Sequence, residues 1–374
     1  MENLIEYLQF VKKSLENLDS FEEVHIVLGN ESCDIDSSVS ATALAYFLHI
    51  SRPKHISKEA LVVAVQNVSA ENFLFRTDNC FLYRQIQLPL EYLVYRDQLD
   101  IDHLVKSKKV TTTIVDHHVV PRSYQILEKT VIQIYDHRPR DAAFDFDSKE
   151  VDINIEGVGS CATLIANSIF SGCEDVLFKE LGYLLYAAIL FDTQGLSTDT
   201  KRAKELDFQI VKKLEQKFNF TEPRIAVYDR IWNAHNDIST LSPKQILVKD
   251  LKMVEHIPVP GLPMLVEDFL KMQGSYEAVR KFAEERDTPL LILVGIDCSN
   301  EIRRDVALFS TNEDDPIRNR VLNLLCNCQQ FKGYDFEFKE VDVSCESVKC
   351  FRQGNLTLSR KQIIPVIIDA LKLH

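Results

Sequence analysis

Several features of other protein classes are missing from this sequence of 374 residues. No apolar run approaches the length of about 20 residues that a membrane-spanning helix needs. The first residues include acids and lack the apolar core of a secretory signal or the pattern of a transit peptide. No solenoid repeat and no low-complexity segment occurs. We therefore expect a globular protein with no membrane association, located in the cytoplasm, with a nuclear or mitochondrial pool left open.

Paired cysteines and excess positive charge are missing as well. The nine cysteines include no CxxC pair, which favours reduced, buried thiols. Lys and Arg number 43 against 56 Asp and Glu, which gives a net charge of −13. Because surfaces that bind nucleic acid are usually basic, this balance makes nucleic acid an unlikely partner. A small anionic substrate in a local basic pocket remains compatible with it.

What is present indicates an α/β protein of two domains, given the length and a hydrophobic content of 45%. The predicted strands of the first half are 25–28, 61–65, 93–95, 110–115 and 131–135, and its predicted helices include 2–18, 38–49, 181–190 and 201–218. The second half predicts a bent edge strand at 258–263, helices at 269–284, 316–326 and 359–371, and strands at 289–296 and 306–309.

Two aspartates follow the first predicted strand. Asp34 and Asp36 lie between the strand at 25–28 and the helix at 38–49. In open α/β sheets, ligands bind at this end of the strands. Neighbouring carboxylates repel each other unless a cation lies between them, and oxygen ligands suit Mg²⁺ or Mn²⁺. A turn that merely caps the helix is an equally good interpretation of this segment alone.

Two later strands each end in an Asp-His-X triplet. Asp116-His117-His118 follows the β-branched run 110–115, and Asp136-His137-Arg138 follows 131–135. The repetition at the same end of two strands is what makes the pattern informative, since a lone Asp-His pair would carry no meaning.

Two more segments have both a functional and a structural interpretation. Gly157 and Gly159 open a helix of small residues in the segment 157–164. Glycines at this point either allow an anion to approach the backbone N–H groups or simply form a tight turn. Asp192 follows the apolar helix 181–190 and is either a capping residue or a further ligand.

Together these residues predict a metal centre. The candidate ligands are Asp34, Asp36, Asp116, His137 and Asp192. Four carboxylates and an imidazole are enough for two divalent cations, which polarise a phosphoryl oxygen and activate water. Arg360 and Lys361 would add positive charge for a phosphate, although a solvated first turn of a helix is the alternative.

At this point the sequence resembles the DHH phosphoesterase superfamily, and within it the prune-type exopolyphosphatases. The motifs of the first half are Leu28-Gly-Asn-Glu-Ser-Cys-Asp-Ile-Asp-Ser37, Val115-Asp-His-His118, Tyr135-Asp-His-Arg-Pro139, Gly159-Ser-Cys-Ala-Thr-Leu164 and Ile189-Leu-Phe-Asp192. Those of the second half, Gln245-Ile-Leu-Val-Lys-Asp250, Gln353-Gly-Asn355 and Ser359-Arg-Lys361, resemble a DHHA2 domain. The chain is also similar to family II inorganic pyrophosphatases.

The resemblance implies a parallel sheet flanked by helices, a smaller α/β lid domain, and an active site in the cleft between them. We expect a DHH domain at 1–218, a linker at 219–224 and a DHHA2 domain at 225–374.

The resemblance also implies roles for individual residues. It assigns the five candidate ligands to metal binding, with Asp116 as the bridging catalytic ligand and His118 as the candidate acid for the leaving group. The residues that it assigns to substrate binding are Asn30, His117, Arg138, Arg360 and Lys361.

Two positions depart from the pyrophosphatase pattern in the way that prune-type proteins do. Asn30 and Arg138 stand where pyrophosphatases carry histidines. An asparagine oxygen replaces imidazole only weakly, and arginine does not bind metal. We therefore expect weaker metal binding than in pyrophosphatases, a preference for Mg²⁺ over softer ions, and a phosphate contact from Arg138.

The resemblance suggests hydrolysis of short polyphosphates, with cyclic nucleotides as an alternative substrate. The competing hypothesis is a weakly active or inactive scaffold that binds a nucleoside diphosphate kinase. Oligoribonucleotide hydrolysis fits poorly, because nucleases of the superfamily carry a glycine-run and histidine motif that this chain lacks.

Overall fold

The computed structural model describes residues 3–141, 144, 146–147, 150–298, 301–312, 314–343 and 347–372. The chain forms two compact units, 1–236 and 237–374, each with its own sheet and hydrophobic core. None of the helices in the described part of the chain combines the length and the apolar character needed to cross a bilayer.

The first unit is built on a six-stranded, entirely parallel sheet. Its strands are β1 (Glu23–Leu28), β2 (Leu61–Gln66), β3 (Val94–Tyr95), β4 (Lys109–Val115), β5 (Val131–Asp136) and β6 (Asp152–Ile155), in the order β3-β2-β1-β4-β5-β6. The chain leaves β1 toward β2 on one side and returns to β4 on the other. This reversal is the point at which open parallel sheets bind ligands.

Helices and short 3₁₀ segments connect these strands, as parallel pairing requires. The α-helices are α1 (Leu4–Leu15), α2 (Ile35–Ser51), α3 (Ala70–Phe73), α4 (Thr77–Gln85), α5 (Ile101–Ser107), α6 (Cys161–Gly172), α7 (Lys179–Asp192), α8 (Glu205–Phe218) and α9 (Arg224–Asn236). The 3₁₀ helices are Leu18–Ser20, Leu90–Tyr92, Arg96–Gln98, Arg122–Thr130 and Glu174–Val176. The predicted class of the first domain, a parallel sheet flanked by helices, is confirmed.

Most of helix α2 is buried. Small side chains such as Ala41, Ala43 and Ala45 are fully buried, and they let α2 pack closely against β2, α6 and α7. This packing fixes the N-terminal turn of α2, where Asp34 and Asp36 lie, against the carboxyl ends of the strands.

The predicted linker, 219–224, lies inside the first unit, because α9 packs there after it. The Phe191 ring lies 6.0 Å from that of Tyr228 and 5.8 Å from that of His235. Thr77 Oγ1 on α4 also donates to the Ala234 carbonyl at 2.5 Å. The compact unit therefore ends at Asn236, whereas the functional division at 219–224 stays a prediction.

The second unit contains a mixed sheet. Its strands are β7 (Asp250–Val254), β8 (Ile257–Leu262), β9 (Leu290–Asp297), β10 (Arg303–Ser310), β11 (Phe338–Val341) and β12 (Val348–Gln353), in the order β11-β12-β10-β9-β8-β7. Its helices are α10 (Pro243–Lys249), α11 (Val266–Leu270), α12 (Ser275–Glu284), α13 (Pro316–Cys326), α14 (Cys328–Lys332) and α15 (Arg360–Lys372). Alternate residues of β9 and β10 enter two cores on opposite faces of the sheet. The predicted second, smaller α/β domain is confirmed.

Two predictions for this unit were wrong. The strand predicted as an edge, β8, lies between β7 and β9. Its prolines, Pro258 and Pro260, are tolerated because pairing with β9 involves only Gly261 and Leu262. The single helix predicted at 269–284 is two helices, since Gly274, with φ of 80°, separates α11 from α12.

Candidate metal centre

The turn between β1 and α2 is organised by Asn30. Its Oδ1 accepts hydrogen bonds from Ser32 N at 2.9 Å, Ser32 Oγ at 2.6 Å and Cys33 N at 3.1 Å. Its Nδ2 donates to Asp116 Oδ2 at 2.6 Å. Gly29 is required just before it, because a Cβ there would lie 2.4 Å from Ser37 Oγ. Asn30, predicted to bind substrate, thus links this turn to the end of β4.

Asp34 and Asp36 both interact with helix N-termini, in different ways. Asp34 is exposed and caps α2, with Oδ1 accepting from Ser37 N at 3.1 Å. Asp36 is 3% exposed and accepts from the Cys161 and Ala162 amides of α6 at 2.6 and 2.7 Å. The amides at the start of α6, where an anion site was one interpretation, therefore bind a carboxylate of the protein itself.

Asp116 occupies the end of β4 in a left-handed backbone conformation, with φ of 58°. Its amide donates to the Tyr135 carbonyl at 2.8 Å, which ties the turn to β5. Its carboxylate is 3% exposed. Burial, together with the charges of Asp34 and Asp36, raises the pKa of Asp116 well above its usual value.

His137 completes the cluster from the end of β5. Its Nε2 lies 3.3 Å from Asp116 Oδ1 and 3.7 Å from Asp36 Oδ2. Burial opposes protonation, but the hydrogen bond to Asp116 and the surrounding carboxylates outweigh it and raise the pKa of His137 to about 10. One ligand atom each from Asp36, Asp116 and His137 lies within 4.8 Å of the others. In this arrangement a proton on His137 offsets part of the charge that a cation would otherwise neutralise.

Asp192 lies at the end of α7 with a buried carboxylate oxygen. Its Oδ2 has no hydrogen-bond partner. Burial and the charges of Asp36 and Asp34 raise its pKa well above the usual value. A buried carboxylate oxygen without a donor is costly unless a proton or a cation is bound to it.

The other side chains of the two triplets form a second layer. His118 is buried between Asp136, which interacts with its Nδ1, and the Asp141 amide, which donates to its Nε2 at 2.8 Å. This pattern corresponds to the tautomer with the proton on Nδ1, so Nε2 has no proton to donate. The role of His118 as leaving-group acid stays a prediction that requires exchange of the Asp141 contact.

His117 and Arg138, both predicted to bind substrate, differ in exposure. His117 is 7% exposed, its Nδ1 donates to the Val115 carbonyl at 2.9 Å, and its Nε2 is buried without a partner. Burial lowers its pKa to about 4, so the ring is neutral. The Arg138 side chain is 47% exposed, with Nε 3.3 Å from Asp136 Oδ1 and Nη2 3.8 Å from Asp116 Oδ1.

Arg360 and Lys361 lie in the second unit, in the first turn of α15. Arg360 Nη1 donates to the Asp250 and Val259 carbonyls at 2.7 and 3.2 Å, and Nη2 to Asp250 Oδ2 at 2.5 Å. Lys361 is exposed. Their contacts with phosphate stay predictions, and the structure shows that the Arg360 guanidinium already has partners within its own unit.

Sequence reasoning missed the residues that support the cluster. Ser160 Oγ donates to Asp36 Oδ1 at 2.8 Å. Asp207 on α8 accepts from Gly159 N at 2.8 Å and from Thr163 Oγ1 at 2.5 Å. Ser160 stands in a quoted motif and could have been considered as a helix cap, whereas nothing in the local sequence distinguishes Asp207.

Comparison with known proteins identifies a matching domain family and relatives of similar sequence. Residues 229–370 match the DHHA2 domain family. Exopolyphosphatase PRUNE1 of Bos taurus is 31% identical over 380 residues, which cover 100% of this chain and 80% of that protein. A putative exopolyphosphatase of Schizosaccharomyces pombe is 23% identical over 398 residues, covering 100% of this chain and 97% of that protein.

A solved structure is similar along most of the chain. It is that of a putative family II inorganic pyrophosphatase of Methanococcus jannaschii, with a TM-score of 0.57 and 19% identity, covering 93% of this chain and 99% of that one. At this identity, the likeness shows a common fold.

Proposed function

We propose that this chain, which belongs to the exopolyphosphatase PRUNE1 family of DHH phosphoesterases, is a metal-dependent hydrolase of short-chain polyphosphate. The observation that carries the proposal is the convergence of Asp36 in the first turn of α2 with Asp116 and His137, which follow β4 and β5. Its relatives named exopolyphosphatase support the substrate class.

The donor set fits a hard divalent cation such as Mg²⁺ or Mn²⁺. Carboxylate oxygens dominate it, and the unpartnered Oδ2 of Asp192 supplies a further buried acceptor. We assign Asp34, Asp36, Asp116, His137 and Asp192 to two such sites as part of the proposal. When bound, the cations would polarise a phosphoryl oxygen and lower the pKa of a coordinated water.

The chain's own side chains would prepare this site for an anionic substrate. Asn30 fixes one oxygen of Asp116, which keeps the other directed toward His137. Arg138 has an exposed guanidinium with donors left for a phosphate. Lys361 and, after release from Asp250, Arg360 would add charge from the second unit. The free Nε2 of the buried, neutral His117 would accept a hydrogen bond from a water or from a protonated phosphate oxygen, because an ionised phosphate oxygen has no proton to donate.

A second candidate is a weakly active scaffold that binds a nucleoside diphosphate kinase. The observation in its favour is that Asn30 and Arg138 already partner Asp116, so the cluster is partly compensated without a cation. Asp192 weighs against this candidate, because a buried oxygen without a partner has no purpose in a relic.

A substrate panel separates these candidates. We would measure phosphate release from pyrophosphate, tripolyphosphate and tetrapolyphosphate, and hydrolysis of cAMP and cGMP, with Mg²⁺, with Mn²⁺ and with EDTA. The proposal expects tripolyphosphate or tetrapolyphosphate to be the best substrate and EDTA to abolish turnover. If the chain hydrolyses only cyclic nucleotides, the proposed substrate class changes from polyphosphates to cyclic nucleotides. No turnover of any compound, with a stable complex on a nucleoside diphosphate kinase column, would favour the scaffold.

A further inference from the structure

Three side chains from the segment after β2 hold the turn between β1 and α2 by its backbone. Each donates one hydrogen bond of 2.8 Å to a carbonyl of that turn. The bonds run from Asn67 Nδ2 to Gly29 O, from Arg76 Nε to Ser32 O, and from Asn79 Nδ2 to Cys33 O. We call Asn67, Arg76 and Asn79 the backbone clamp.

The clamp is buried and incompletely satisfied. Asn67, Arg76 and Asn79 are 1%, 8% and 0% exposed. Each also keeps a buried polar atom that has no partner, namely Asn67 Oδ1, Arg76 Nη1 and Asn79 Oδ1. Apolar side chains at these positions would remove the unpartnered atoms, but they would leave the carbonyls of Gly29, Ser32 and Cys33 without these donors. The three side chains therefore share one feature, a bond to the backbone of the turn, which each makes while one of its own atoms stays unpartnered.

The turn that the clamp holds needs such support. Cys33 adopts a left-handed backbone conformation, with φ of 47°, which residues other than glycine rarely adopt. Ser32 Oγ, which donates to Asn30 Oδ1 at 2.6 Å, also lies 3.2 Å from Asp34 Oδ2. The clamped carbonyls of Ser32 and Cys33 thus directly precede Asp34, the first candidate ligand of the turn. A shift of these carbonyls would move Asp34 and the N-terminus of α2, including Asp36.

The clamp is itself anchored by α9. Arg76 and Asn79 lie at the start of α4, where Thr77 Oγ1 donates to the Ala234 carbonyl. Asp78 Oδ2 lies 2.7 Å from His235 Nδ1. Arg76 and Asn79 therefore bind the turn, while the two residues between them, Thr77 and Asp78, contact α9.

We propose that Asn67, Arg76 and Asn79 are positioning residues that set the cation-binding geometry of Asp34 and Asp36. The inference rests on the proposed function only in requiring that this turn binds a divalent cation. Residues that orient ligands in this way typically change metal affinity by about 10–100-fold when they are removed.

The test measures cation affinity on the full chain, independently of turnover. After EDTA treatment and dialysis, Mn²⁺ binding is titrated by calorimetry for the unchanged chain and for Arg76→Met, Arg76→Lys and Asn79→Leu. Arg52→Met is the matched control, because Arg52 Nη1 also donates to two carbonyls, those of Ser57 and Ala60, but at the opposite end of α2. Thermal unfolding by circular dichroism checks that each variant is folded.

We expect Arg76→Met and Asn79→Leu to weaken Mn²⁺ binding by about tenfold or more. Arg76→Lys, which keeps a charged donor, should recover most of the loss, and Arg52→Met should bind as the unchanged chain does even if its unfolding temperature falls. Asn79→Leu carries the test if Arg76→Met does not fold. Affinities within about twofold of the unchanged chain for both variants, or losses of the same size for Arg52→Met, would overturn the inference.

The same titration separates this inference from the proposed function. An unchanged chain that binds Mn²⁺ but hydrolyses no polyphosphate would overturn the function and leave the clamp to be judged by affinity. An unchanged chain that binds no divalent cation would overturn both.

Discussion

Each unit buries an aspartate that binds the N-terminus of a helix, and the two aspartates have different neighbours. Asp36 accepts from the first amides of α6, and Asp305 accepts from the Val266 and Glu267 amides of α11 at 2.8 and 3.0 Å. Among the described residues, only Asp36 belongs to a cluster that could bind a metal. A buried aspartate at a helix N-terminus is thus a structural feature that occurs in both units. The site of Asp36 becomes a candidate metal site only because Asp116 and His137 lie beside it.

The electrostatics of the two regions differ accordingly. Burial raises the pKa of Asp305 to about 6, although the two amides and Arg352 oppose the shift. The pKa of Asp116, beside Asp36, is raised well above its usual value by burial, and there the neighbouring carboxylates add to the effect. A cation would therefore reduce the repulsion in the first region, whereas the carboxylate of Asp305 has its partners within the protein.

Asp116→Asn should have the largest effect. The change keeps the shape of the side chain and removes one charge from the cluster, so polyphosphate hydrolysis should fall to the background rate. The midpoint of thermal unfolding without metal should stay the same or rise, because repulsion among buried carboxylates decreases. Phosphate release and circular dichroism measure both. A variant as active as the unchanged chain would show that the cluster is not catalytic.

Asp305→Asn is the matched change in the second unit and should do the opposite. It replaces two charge-assisted hydrogen bonds by at most one neutral bond and leaves an amide unpartnered, so stability should fall by about 1.5–3 kcal/mol. Turnover of the folded protein should not change, since Asp305 lies in no ligand cluster of the described residues. Urea unfolding and steady-state kinetics below the transition test this. Lost turnover in a folded variant would remove the distinction between the two aspartates.

The sequence predicted five of the six strands of the first unit and missed β6, which has no buried residue. In a parallel sheet, apolar strands must be buried, and their carboxyl ends meet at one edge. Apolar runs followed by Asp36, Asp116 and His137 therefore predicted which side chains would converge. Asp192 was predicted from the apolar helix that precedes it as either a capping residue or a ligand, and its role as a ligand stays a prediction.

The partners of these residues could not be predicted, because they come from distant segments without a pattern of their own. The bond from Asn30 to Asp116 spans 86 positions, and that from Asn79 to Cys33 spans 46. The prediction that β8 is an edge strand failed for another reason. Prolines show that a strand lacks backbone donors, but they do not show that β8 pairs with β9 through only two residues.

Asp192→Asn tests whether the candidate metal centre needs the negative charge of this buried side chain in order to bind a cation. Asn keeps a carbonyl oxygen that can bind a cation but removes the charge of the buried carboxylate. Mn²⁺ affinity should fall by about tenfold, and the metal-free chain should be no less stable. Calorimetric titration and thermal unfolding measure the two effects, with Asp305→Asn as the control that changes stability alone. Unchanged affinity would exclude Asp192 as a ligand.

Arg360 and Lys361 should differ from each other even though the sequence predicted the same role for both. Arg360→Met removes three hydrogen bonds to β7 and β8, so the second unit should lose about 1 kcal/mol or somewhat more, a small value because Asp250 is partly exposed. Lys361→Met removes only an exposed charge and should leave stability within about 0.5 kcal/mol while raising KM for tripolyphosphate. Urea unfolding and kinetics on both variants test the contrast. If Arg360→Met raises KM as much as Lys361→Met without loss of stability, the bonds to Asp250 are readily exchanged for substrate, and Arg360 belongs with the catalytic region and not with the structural one.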